Sequence, residues 1–214
     1  MAGKPLDIAE EASPRRVFVW AVDWPGWCRS GRNAEAAIEA LAAAASRYRI
    51  IAEAAGLRFP AADPTRFDTV DSVAGGGGTD FGVPSVIIDS DRRPVTRSQA
   101  VKMAALVEAA WLVFDGVGAT APAELRKGPR GGGRDTTEII DHVNEADQAY
   151  AREIGINPAD RAGIRATRAS MLEVLRRPSD GTPMAGRKWT QRYAARRIAW
   201  HAIDHTWEIE DRGQ

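Results

Sequence analysis

The chain has 214 residues, enough for one large core or two small ones, and its 29 basic residues are balanced by 29 acidic ones. This balance provides no field that would favour nucleic acid or an anionic membrane as a partner. The single cysteine, Cys28, excludes an internal disulfide, and no stretch approaches the roughly 20 apolar residues of a membrane helix. Because the N-terminus also lacks the apolar segment of a signal peptide, we expect a cytoplasmic protein.

The first elements predicted are an arm and two strands. Residues 1–14 are polar, which is typical of a flexible arm. Val17 to Val22 is an apolar, β-prone run, and the turn residues Asp23 to Gly26 follow it. A second short strand is expected from Trp27 to Ser30.

A helix and two further strands complete the predicted N-terminal domain. Asn33 can cap a helix that ends at Gly56, and strands are expected over Phe67 to Val73 and Ser85 to Asp89. The four glycines Gly75 to Gly78 lack the context of a phosphate-binding motif, so we interpret them as a flexible loop. These elements predict a small α+β domain over residues 15–95.

Within that domain, the order strand, DWPGWCRSG turn, strand and EA-rich helix resembles the HicB-like domain. The resemblance covers about 40 residues of this chain. HicB-like domains commonly belong to toxin–antitoxin systems, so the resemblance implies a protein partner.

The remaining residues, 96–214, predict four helices and hence an all-α four-helix bundle. The first has an apolar stripe from Ala100 to Val117. Asp135, with Glu138 three residues later, opens the second as a capping box. Asn157-Pro158 is a cap and first-turn proline for the third, and the fourth contains the sequence YAARRIAWHAIDHTWEIED.

All three histidines of the chain lie on apolar helix faces. His201 and His205 are one turn apart in the fourth helix, so their imidazoles project from the same face. His142 lies on the apolar stripe of the second helix. Three neutral imidazoles from two packed helices can bind one metal ion and leave a coordination position open, as in catalytic zinc sites. The alternative is that each histidine is an ordinary hydrogen-bonded core residue.

The histidine spacing also carries a family resemblance. The HxxxH pair His201 and His205 in RRIAWHAIDHTWEIED, together with His142 in IIDHVNEAD, resembles the metal-binding pattern of DinB-like domains over residues 96–214. This family includes thiol-dependent S-transferases. The resemblance implies a zinc or nickel ion bound by the three histidines, a low-molecular-weight thiol as possible co-substrate, and a homodimer.

Carboxylates and arginines near the histidines are further candidates. Of four nearby acidic side chains we favour Glu145 and Asp204 as bases or as groups that orient the imidazoles; the others are Asp141 and Glu208. The alternative is a solvated helix edge. In the basic glycine-rich loop, Arg130 and Arg134 can bind an anionic group of a co-substrate, unless the loop is simply mobile.

Two functional hypotheses follow from these patterns. The first is a metal-dependent enzyme of the DinB-like type that activates a thiol or water, for S-transfer to, or hydrolysis of, an electrophilic small molecule. The second is a non-catalytic regulatory protein that senses a metal or ligand and binds a protein partner through its HicB-like domain. A metal closed in by a fourth side chain would instead be structural.

Overall fold

A four-stranded sheet and several helices make up the α+β fold of the chain. The computed structural model describes residues 5–60, 63–128, 132–158 and 163–214. The strands are β1 (Leu6–Ala12), β2 (Val17–Ala21), β3 (Cys28–Gly31) and β4 (Phe67–Ala74). The α-helices are α1 (Ala34–Ala43), α2 (Ala45–Ala54), α3 (Gly77–Asp80), α4 (Arg97–Thr120), α5 (Thr136–Glu153), α6 (Ile164–Leu175) and α7 (Gln191–Arg212). None of the described helices has the length and apolarity that crossing a membrane would require.

The sheet has the order β3-β2-β1-β4. β1 pairs antiparallel with β2 and parallel with β4, and β2 pairs antiparallel with β3. All five residues of β2 are buried, as its β-branched and aromatic sequence favours. The three strands that were predicted to begin at Val17, Trp27 and Phe67 are confirmed as β2, β3 and β4.

The flexible arm predicted for residues 1–14 is wrong over Leu6–Ala12, which form the interior strand β1. The Glu11 carboxylate on this strand is fully buried, and it accepts hydrogen bonds from Thr79 Oγ1 at 2.6 Å and from Val86 N at 2.9 Å. A segment with three acidic residues is thus a central strand, in which the buried Glu11 carboxylate is satisfied by partners about 70 residues away in sequence.

The strand predicted from Ser85 to Asp89 is also wrong. The backbone N–H groups of Ser85 and Val86 donate to the Glu11 carboxylate rather than to a neighbouring strand. The segment is irregular and runs into a 3₁₀ helix, Asp89–Arg92. Part of the glycine-rich run predicted as a loop, Gly77–Asp80, forms the short helix α3.

Helix ends follow the predicted caps, with two corrections. Asn33 Oδ1 accepts a hydrogen bond from Ala36 N, which confirms the N-terminal cap. The predicted single helix is instead α1 and α2, which meet at Ala44. The third bundle helix does not begin at Asn157-Pro158: both residues are non-helical, α6 begins at Ile164, and residues 159–162 lie outside the described part of the chain.

The four C-terminal helices pack against one another. α4 contacts α5, α6 and α7, and α5 contacts α6 and α7. α4 also contacts α2, and one hydrophobic core cluster includes residues from both sides of position 95. This packing brings the His142-bearing helix, α5, directly against α7.

Candidate metal centre

The helix α7 is buried along most of its length because other helices and the N-terminal elements both cover it. Thr190 caps it, its side chain accepting a hydrogen bond from Tyr193 N. Residues 198 to 203 are all buried, and His201 is 6% exposed. His205 lies one turn later and is only partly buried. The pair therefore reaches from the core towards the surface.

The three predicted histidines come together in one cluster. Nε2 of His142 lies 3.2 Å from Nε2 of His201. The ring centroids of His142 and His205 are 5.0 Å apart, and those of His201 and His205 are 4.7 Å apart. One potential ligand atom from each ring lies within 4.8 Å of the other two. Packing of α5 on α7 thus produces the juxtaposition that the spacing predicts.

The environment of the cluster favours neutral imidazoles. Burial, reinforced by His205 and the positive charge of Arg197, lowers the pKa of His201 to about 2. Burial also lowers the pKa of His142, with the charge of Arg134 as the next cause. Neutral imidazole is the form that binds metals, because the ligand nitrogen must carry a free lone pair.

A carboxylate fixes the orientation of His205. Its Nδ1 lies 2.8 Å from Glu208 Oε2, and the other oxygen of Glu208 accepts a hydrogen bond from Arg212 Nη1 at 2.5 Å. Because an ionised carboxylate only accepts, Nδ1 is the protonated nitrogen, and Nε2 retains its lone pair. This arrangement is the one that metal-binding histidines commonly show.

These distances fit a small divalent ion. Two nitrogens that each lie about 2.0–2.1 Å from a shared tetrahedral ion are about 3.3 Å apart, close to the 3.2 Å between His142 and His201. Among the described residues, no carboxylate or thiol joins the three histidines in the cluster. Three neutral nitrogens with a free fourth position suit zinc, nickel or a similar borderline metal.

The two favoured carboxylates lie apart from the imidazole nitrogens. Glu145 is exposed on α5, although its charge raises the pKa of His142 and so acts near it. Asp204 Oδ1 pairs with Arg29 Nη1 at 3.3 Å, and its side chain is 44% exposed. Asp141 is exposed as well. Glu208, the less favoured candidate, is the one that contacts a histidine.

Arg130 and Arg134 are the two arginines that were predicted to bind an anionic group. Arg130 lies outside the described residues. Arg134 is exposed, two residues before α5, and its positive charge contributes to lowering the pKa of His142 and of His201. Arg134 is therefore near the histidine cluster, and its role as an anion ligand stays a prediction.

Sequence reasoning passed over two side chains beside the cluster. The ring of Tyr150 on α5 lies 5.7 Å from that of His201. Arg197 lies one turn before His201, with its guanidinium carbon 4.7 Å from the ring of Trp200. The spacing of Arg197 and His201, four residues apart on one helix, would have placed them on the same face.

Cys28 lacks the properties of a nucleophilic cysteine. Its side chain is buried, and burial raises the pKa of its thiol to about 12. In this environment Cys28 behaves as a small apolar residue.

Comparisons of the chain with protein-family models, with curated proteins and with solved structures gave no match. The residues of the site therefore carry the functional argument by themselves.

Proposed function

We propose that the protein is a metal-dependent enzyme of the DinB-like type, which activates a thiol or water to attack an electrophilic small molecule. The observation that carries this proposal is the convergence of three imidazoles, with Nε2 of His142 and His201 separated by 3.2 Å. Glu208 supports it by holding the third imidazole, that of His205, in the tautomer that binds metals.

The chemistry assigns distinct tasks to the residues. His142, His201 and His205 would bind the ion, and a zinc or nickel ion bound there supplies a Lewis acid that makes thiolate or hydroxide accessible near neutral pH. Burial of His201 keeps its ring uncharged and therefore available. Glu208, held in turn by Arg212, keeps the His205 ring in place.

Proton transfer is the step for which Glu145 and Asp204 remain candidates. Glu145 is solvent-exposed and three residues after His142, so it can exchange protons with bulk water. Asp204 precedes His205 directly, and burial raises the pKa of its carboxyl, although the charge of Arg29 opposes this shift. Each would accept the proton released when the thiol or water is activated, and Glu145 has the more open path to solvent.

The absence of a fourth side chain from the cluster, within the described residues, favours catalysis over a purely structural metal. The alternative of a regulatory protein with a HicB-like partner-binding domain rests on the DWPGWCRSG turn and the helix that follows it. No contact in the histidine cluster bears on that alternative.

Metal content and thiol consumption test the proposal together. Purified wild-type protein, loaded with zinc or nickel and washed of weakly held ions, should retain about one ion per chain by mass spectrometry. The His201→Gln variant should retain almost none. Arg165→Gln, which alters an exposed residue on α6, should match the wild type.

Turnover is then measured with a generic pair, 2-mercaptoethanol and the electrophile 1-chloro-2,4-dinitrobenzene, and hydrolysis with 4-nitrophenyl acetate. Metal-dependent consumption of either electrophile, lost in His201→Gln, is the expected result. A protein that retains no ion, or that retains one and converts neither electrophile, would contradict the proposed function.

A further inference from the structure

Arg197 occupies an unusual position beside the histidine cluster. It is four residues before His201 on α7, so the two side chains lie on the same helix face about 6 Å apart along the axis. Its guanidinium carbon is 4.7 Å from the ring centroid of Trp200 and 5.5 Å from that of Tyr150. Aromatic rings therefore flank the guanidinium beside the cluster.

Three buried arginines of this protein are paired with carboxylates, whereas Arg197 is partly buried. Arg196 contacts Asp91, Arg168 contacts Asp147 and Asp115, and Arg192 contacts Asp23; in each case a nitrogen lies within 3.3 Å of a carboxylate oxygen. Such pairing is expected, since an uncompensated charge away from water is costly.

Arg197 has no carboxylate partner among the residues that the structure describes. Its Nη1 atom is buried and has no hydrogen-bond partner there either. The partly buried guanidinium thus keeps one donor, Nη1, out of contact with water and unpaired among the described residues, on the helix face that carries His201. An oxyanion with planar geometry would satisfy this donor and compensate the charge.

We propose that Arg197 binds a carboxylate group of the thiol that the histidine cluster activates. The inference rests on the proposed function, because it takes the cluster as the reacting centre. Arg134, the exposed cation near the cluster, adds to the positive field that attracts such a ligand.

The test compares two thiols of similar size, 3-mercaptopropionate and 3-mercaptopropan-1-ol, which differ in the carboxylate. Their dissociation constants are measured by calorimetry with zinc-loaded protein and by ligand-detected NMR with metal-free protein. The variants are Arg197→Gln, Arg197→Lys and the matched surface control Arg165→Gln. Circular dichroism melting verifies that each variant folds.

Wild type and Arg165→Gln should bind 3-mercaptopropionate at least about tenfold more tightly than 3-mercaptopropan-1-ol. This preference should appear in the zinc-loaded protein, the metal-free protein or both, according to which of them binds the thiols. Arg197→Gln should lose that preference while its affinity for the alcohol is unchanged, because only the charge-assisted hydrogen bond is removed. Arg197→Lys, which keeps the charge without the planar fork, should retain part of it.

An equal preference in wild type and Arg197→Gln, or no preference in either form of the wild type, would overturn the assignment of Arg197. This outcome is separable from failure of the proposed function. A protein that retains zinc and consumes thiol but shows no carboxylate preference refutes the arginine assignment alone. A protein that retains no zinc yet shows an Arg197-dependent preference in its metal-free form refutes the metal-dependent enzyme alone.

Discussion

The Nδ1 atom of His205 lies 2.8 Å from Oε2 of Glu208, and this contact determines which nitrogen of His205 is free to face His142 and His201. Replacing Glu208 by Gln weakens the constraint on the ring and lowers the basicity of its other nitrogen. We expect zinc to dissociate about 10- to 100-fold more readily from Glu208→Gln than from wild type, measured by competition with a chromophoric chelator.

Glu210→Gln is the matched control for this experiment. Glu210 is two residues later on α7 and pairs with Arg47 at 2.6 Å rather than with a histidine. Its substitution should leave the affinity for zinc unchanged. Equal weakening by both substitutions would mean that Glu208 acts through the stability of the helix and not through His205.

The buried neutral state of His201 predicts a pH dependence of folding in the metal-free protein. Its folded pKa, about 2, is far below the usual histidine value of 6.5 that applies in an unfolded chain. The unfolded state therefore binds more protons below pH 6.5, so stability is lost as the pH falls through that value. Urea unfolding at pH 7, 6 and 5 should show an extra loss approaching about 1.4 kcal/mol per pH unit in wild type.

The His201→Gln variant cannot take up this proton and should show a correspondingly shallower loss over the same range. Because the substitution can also change stability at pH 7, the change in free energy of unfolding with pH is compared within each protein. Identical slopes for the two proteins would contradict the assignment of a neutral, desolvated imidazole at position 201.

A buried ion pair joins α7 to the 3₁₀ helix Asp89–Arg92, which precedes α4. Arg196 Nη2 lies 2.6 Å from Asp91 Oδ2, and its Nε lies 3.2 Å from the other carboxylate oxygen. Asp91→Asn leaves the Arg196 charge buried without its partner, so we expect a loss of about 3–5 kcal/mol in the free energy of unfolding. Glu108→Gln, which breaks the exposed pair with Arg176, should cost less than about 1 kcal/mol.

Denaturant unfolding of these two variants beside the wild type measures the difference. Comparable losses would show that the Arg196–Asp91 pair is not isolated from water as its burial indicates. The result matters for the site because Arg196 is adjacent to Arg197 on the helix that carries two of the three histidines.

Gly26, in the turn between β2 and β3, sets how closely that turn approaches α7. Its φ is +90°, and a Cβ there would lie 2.6 Å from Ile203 Cδ1 and 2.9 Å from Ala199 Cβ. Gly26→Ala should therefore destabilise the protein by more than about 2 kcal/mol, through backbone strain and steric overlap together. Gly76→Ala, at a position with extended backbone and open surroundings, should stay within about 0.5 kcal/mol of wild type.

Thermal and urea unfolding of both glycine variants provide the comparison. If Gly26→Ala loses no more free energy of unfolding than Gly76→Ala does, the turn does not approach α7 as closely as described. A destabilised but folded Gly26→Ala protein would also be expected to bind zinc more weakly, since the turn packs against Ala199 and Ile203, each two residues from His201.

Local sequence signals were sufficient for much of the fold. Asn33 marked a helix start, the β-prone residues from Val17 marked a strand, and the i, i+4 spacing of His201 and His205 placed both rings in one cluster. Each of these features depends on residues that are neighbours in sequence, which is where periodicity and capping rules apply.

Features that depend on distant partners were not accessible in the same way. The strand Leu6–Ala12 contains three acidic residues, and it is held by pairing with β4 and by hydrogen bonds from Thr79 and Val86 to Glu11. The candidate carboxylates are a related case. Glu145 and Glu208 each follow a histidine of their own helix by three residues, yet Glu145 is exposed while Glu208 contacts His205.

The central claim is that His142, His201 and His205 bind one divalent ion and leave a coordination position open. An anomalous difference map from crystals of the zinc-loaded protein, recorded at the zinc absorption edge, tests it most directly. The account predicts one strong peak per chain, about 2.0–2.1 Å from Nε2 of each histidine, with no fourth protein ligand. No peak among the three rings, or a peak closed off by a further side chain, would contradict it.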